Sequence, residues 1–126
     1  MIKQNALKLF LESVNTGGII GTILVNSGGS PLTFVGCDED EAKLLSAIIN
    51  NMWSVYGQCG KSLFDETQQI SMFDCDNGRL IVRSIVSGKL LLCLKAQKNA
   101  NLGMLKLKAQ IIGDHLRDIL KVAIDY

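Results

Sequence analysis

Gln69-Ile70-Ser71-Met72-Phe73-Asp74-Cys75, followed by Asp76-Asn77-Gly78, decides the fold. The first seven residues alternate imperfectly between polar and apolar. Asn-Gly is the strongest short hairpin signal in the chain, because both central residues of a type I′ turn need positive φ. Leu80 to Val86 then returns as a second strand. Ser87-Gly88 turns the chain again into Leu90-Leu91-Leu92-Cys93-Leu94, a continuous apolar run of the kind buried on both faces. Three strands joined by tight turns make an antiparallel meander.

On the C-terminal side, a helix from about 102 to 124 sets Leu102, Leu105, Ala109, Ile112, Leu116, Ile119, Leu120 and Ala123 on one face, with Lys106, Gln110, Asp114, Arg117 and Lys121 opposite. On the N-terminal side lies a polar loop, 57–67, whose Gly60 reads as the glycine stop of a preceding helix. That helix runs from about 40 to 56, and Asp38-Glu39-Asp40-Glu41 places negative charge where a helix N-terminus favours it. Its apolar residues fill an arc of roughly 180°, well beyond the ~100° stripe that one core needs, so part of it is expected to face a second protein. Lys43, Ser46, Asn50 and Ser54 occupy the remaining side.

Earlier still, Ile2, Ala6, Leu7, Phe10, Leu11 and Val14 recur at helical spacing, and Asn15-Thr16-Gly17-Gly18 ends that helix in service of the backbone. Ile19 to Asn26 and Pro31 to Val35 form a hairpin about Ser27-Gly28-Gly29-Ser30. The order is helix, hairpin, helix, meander, helix. It is an α+β chain of five strands and a single domain spanning 1–126.

The 126 residues, 48% apolar and 20% charged, suffice for a core without staples. Thirteen basic against twelve acidic side chains leave a net charge of +1, which disfavours nucleic acid and anionic lipid as partners. No uninterrupted apolar run is long enough to span a membrane. Met1-Ile2-Lys3-Gln4-Asn5 lacks a signal core and a myristoylation glycine, and Ala123-Ile124-Asp125-Tyr126 lacks a prenylation cysteine, so membrane association is expected only through a partner.

Candidate chemistry is sparse. Cys37, Cys59, Cys75 and Cys93 are spaced by 22, 16 and 18 residues and contain no Cys-x-x-Cys pair, so zinc is not expected. They read as reduced, buried small hydrophobes. Gly60-Lys61-Ser62 lacks the glycine five residues earlier that a phosphate loop needs, since position 55 is Val. Gly17-Gly18-Ile19-Ile20-Gly21 enters a strand instead of opening a helix, so it is no dinucleotide fingerprint. His115, the sole imidazole, falls on the flank of the last helix beside Lys108 and reads as a surface residue. No catalytic residue, cofactor or metal is expected, and a binding module is favoured over an enzyme.

Five segments together carry a family resemblance: Asn15-Thr16-Gly17-Gly18 leading into Thr22-Ile23-Leu24; Asn51-Met52-Trp53 with Tyr56; Asp74-Cys75 with Gly78-Arg79; Leu90-Leu91-Leu92-Cys93; and Gly103-Met104-Leu105-Lys106 with Lys108-Ala109-Gln110. In that order and spacing they resemble the roadblock family, and within it the adaptors of the Ragulator type. The resemblance implies a five-stranded antiparallel sheet with the first and last helices on one face and the middle helix on the other. It also implies a dimer interface made by the middle helix and the third strand. The partners implied are a second roadblock protein, or a second copy in isolation, other Ragulator subunits including a lipid-anchored scaffold, and Rag GTPases. The role implied is a non-catalytic scaffold for MAP kinase and mTOR signalling, peripheral on the cytosolic face of late endosomes and lysosomes. Rival readings are a roadblock regulator of another small GTPase, a dynein light chain and, from the cysteines, a thiol enzyme.

Within the wide apolar arc, the inner row Leu44, Ile48, Met52 and Val55 is expected to fill the chain's own core. The outer row Ala42, Leu45, Ile49, Trp53 and Tyr56, with Ile70, Met72 and Phe73 of the edge strand, is expected to meet the partner over roughly 1,600 Å² or more in total. Trp53 reads either as the aromatic anchor of that surface or as a core tryptophan.

Overall fold

The computed structural model describes residues 2–15, 17–64, 69–85 and 90–124, excepting the side chains of 2–6 and 120–124. Its elements are α1 (Ile2–Val14), β1 (Ile19–Asn26), β2 (Pro31–Val35), α2 (Glu39–Phe64), β3 (Ile70–Cys75), β4 (Gly78–Ile85), β5 (Leu90–Ala96) and α3 (Leu102–Ile124). Thr16, Val86 and the Ser87-Gly88 turn lie outside the described residues. The strands form one antiparallel sheet in the order β2-β1-β5-β4-β3, so β2 and β3 are its edges.

Strand alternation sends successive side chains to opposite faces, and both faces are apolar because both are covered. On one face Leu24, Leu92, Leu94 and Ile81 pack with Leu7 and Leu11 of α1 and Leu105, Ala109, Ile112 and Leu116 of α3. On the other, Ile23, Val25, Leu91, Cys93 and Val82 pack with Ile49 of α2, edged by Leu45 and Trp53. This is the expected arrangement, with α1 and α3 on one side and α2 on the other. Leu102 and Ile119, expected on the inner face of α3, are exposed at its ends.

Local chemistry sets the boundaries. Asp38 caps α2, its Oδ1 accepting the Glu41 amide at 2.7 Å, and Asn101 Oδ1 caps α3 by accepting the Met104 amide at 3.0 Å. Asn26 Oδ1 accepts the amides of Gly28 and Ser30 at 3.0 and 3.1 Å, which closes the β1–β2 turn. Gly17 and Gly18 take φ of 62° and 93°, the left-handed conformations that let α1 stop and β1 begin.

The one large boundary error concerns α2, expected to end near 56 but continuing to Phe64. Gly60-Lys61-Ser62 is therefore inside a helix and is not its stop. A glycine within a helix costs only about 1 kcal/mol relative to alanine, and Lys61 in the last turn complements the helix dipole.

Candidate partner interface

Burial reverses the two rows expected on α2 except at Tyr56, an outer-row residue that is 50% exposed. Ala42 and Ile49 are 0% and 3% exposed, covered by this chain's own sheet, and Leu45 and Trp53 are half-buried against the same cluster. Leu44, Ile48 and Val55, expected in the core, are 63%, 45% and 52% exposed, and Met52 is partly so. The cause is Ser46, fully buried at the centre of the packed side. Its small side chain lets the helix approach the sheet, whereas a polar residue on a wheel marks the solvent side. Ser46 Oγ has no hydrogen-bond partner among the described residues.

Two contacts orient the bare stripe. Tyr56 meets Phe73 of β3, ring centroids 6.2 Å apart. About 120° around α2 from Tyr56, Asn50 lies against Gly29 of the β1–β2 turn. At about 100° per residue, Met52 and Cys59 fall roughly 160–180° from Asn50 and within about 60° of Tyr56. Met52 and Cys59 thus lie on the flank of α2 toward β3, and Ile48, Val55 and Leu44 continue the apolar stripe from them onto the helix's outer face. Since β3 has β4 on one side and no strand on the other, helix stripe and open strand edge form one continuous corner.

The β3 residues expected to act together divide between faces. Register pairs Phe73 with Leu80, on the α2 side, whereas Met72 pairs with Ile81 and Ile70 with Arg83, on the α3 side. Met72 is exposed and Ile70 and Phe73 are half-buried, so all three border the open edge.

The stripe carries no charge from Leu44 to Cys59, and charges lie around it. At the start of α2, Glu41 pairs with Lys95 of β5 at 2.8 Å and Glu39 with Lys43 at 3.2 Å. On the α3 face, Asp74 accepts from Lys98 and Arg79 at 2.7 and 3.1 Å, and these bonds, that from Lys98 foremost, hold its carboxyl below the usual range. Arg79 also donates to the Ala100 carbonyl. Arg83 crosses from β4 to α3, donating to the carbonyls of Ala109 and Gln110 and to Asp114 at 2.7 Å. Asp114, which also pairs with Arg117, is likewise held low, chiefly by Arg83.

All four cysteines are free thiols. Cys93 is a buried hydrophobe as expected, its thiol pushed up to about 12 by burial. Cys37 is half-buried and raised for the same reason, with Glu41 adding to the effect. Cys59 and Cys75, also expected inside, are exposed. His115 is exposed as expected, and it stacks on Phe10 at 5.0 Å with the planes 14° apart. A groove between α1 and α3, lined by Ser13, Val14, Lys108, Ile111 and Ile112, is mainly apolar. Among the described residues no three His, Cys, Asp or Glu side chains are grouped to hold a metal ion, and no helix is long and apolar enough to cross a membrane.

The Roadblock/LC7 domain model matches residues 5–95. The chain is 31% identical over 128 residues to the Ragulator complex protein LAMTOR2 homolog of Caenorhabditis elegans, covering 99% of this chain and 98% of that protein. The fold is similar to that of Myxococcus xanthus MglB (TM-score 0.86, 13% identity, 97% of this chain and 92% of that one). It is also similar to a Roadblock/LC7 domain from Streptomyces avermitilis (TM-score 0.83, 18% identity, 90% and 97%). With a family model matching residues 5–95 and a relative 31% identical over nearly the full length, this chain belongs to the Roadblock/LC7 domain family.

Proposed function

We propose that the chain is a non-catalytic adaptor subunit of the Ragulator type. It pairs with a second roadblock subunit and, together with other Ragulator subunits including a lipid-anchored scaffold, supports Rag GTPase recruitment and MAP kinase and mTOR signalling on late endosomes and lysosomes. The observation that carries the pairing is the corner made by the uncharged α2 stripe and the open edge of β3. A strand added to β3 satisfies its free backbone groups and brings a partner against Leu44, Ile48, Met52 and Val55. Tyr56, Ile70, Met72 and Phe73 border that surface, while Leu45 and Trp53 support it from beneath. The Ragulator assignment rests on the full-length likeness to the nematode protein.

The test is recovery of the tagged chain from its own cells, with its companions identified by mass. A second roadblock protein with Rag GTPases and a lipid-anchored scaffold is the expected set. Dynein intermediate chain, or a different small GTPase in the absence of Rag proteins, would overturn the assignment.

A further inference from the structure

We draw no further inference here: the strongest candidate, the mainly apolar groove between α1 and α3 lined by Ser13, Val14, Lys108, Ile111 and Ile112, carries nothing because nothing in the structure shows what covers it.

Discussion

Tyr56 of α2 and Phe73 of β3 meet with their ring centroids 6.2 Å apart and their planes inclined by 45°. This contact ties the long helix to the outermost strand. It turns the helix's bare apolar flank toward the same side as the strand's free backbone groups. Neither feature alone identifies a binding surface, since apolar residues are common on protein surfaces and every open sheet has edges. The proposed pairing uses their junction, where one partner can satisfy both at once.

Neighbouring isoleucines on α2 should respond oppositely to the same change. Ile49→Asp places an unpaired charge in a site 3% exposed, at a cost of roughly 3–5 kcal/mol, so thermal unfolding should shift far downward. Ile48→Asp, at 45% exposure, should leave the unfolding temperature near wild type and remove the second roadblock subunit in sedimentation. Equal destabilisation by both would show that the packed side of α2 is assigned wrongly.

The sheet was legible in the sequence because its signals are local. Asn77-Gly78 and the Ser27–Ser30 turn mark hairpins, and the unbroken apolar run Leu90–Leu94 signals cover on both faces. The width of the apolar arc on α2 was equally readable, and with it that one core would leave part of the arc bare. Which half faced inward was not, because helix-to-sheet distance decides it. A serine and two glycines on the packed side are small enough for close approach, but on a wheel they look polar or neutral. Gly60, read as a helix stop, concealed two turns of helix and with them Leu63 and Phe64.

Gly36 should tolerate substitution least among the left-handed glycines. At φ 80° an added Cβ would overlap the Ile20 carbonyl oxygen and crowd Gly21 Cα, both backbone atoms that cannot move aside. Gly17 also has positive φ, but its Cβ would meet only the tip of Lys108. Gly36→Ala should therefore lower stability by more than the ~1 kcal/mol expected for Gly17→Ala, as chemical denaturation of the two variants would reveal.

Thiol labelling should separate the cysteines by burial. Cys59 and Cys75 should react quickly in the native protein and Cys37 slowly, whereas Cys93 should wait for unfolding because burial opposes its thiolate. Adding the second roadblock subunit should protect Cys59, which ends the apolar stripe. Unchanged Cys59 labelling in a complex that has formed would place the partner elsewhere.

Arg83 and Gly113 should be linked through Asp114. A Cβ on Gly113 would overlap the Arg83 guanidinium, which reaches that point to bond Ala109, Gln110 and Asp114. Gly113→Ala should displace it and let the Asp114 carboxyl rise toward its ordinary value of 3.8. A carboxylate held low in the folded state contributes stability only while ionised. That contribution is complete above the ordinary value and fades as pH falls through the lower native one. The acid limb of a stability profile, below about pH 4, should accordingly be flatter in Asp114→Asn than in wild type. A carboxyl-detected titration should show Asp114 shifted upward in Gly113→Ala. If Asp114 titrates unchanged in that variant, the guanidinium keeps its place by another route and the glycine serves only close packing of α3 on β4.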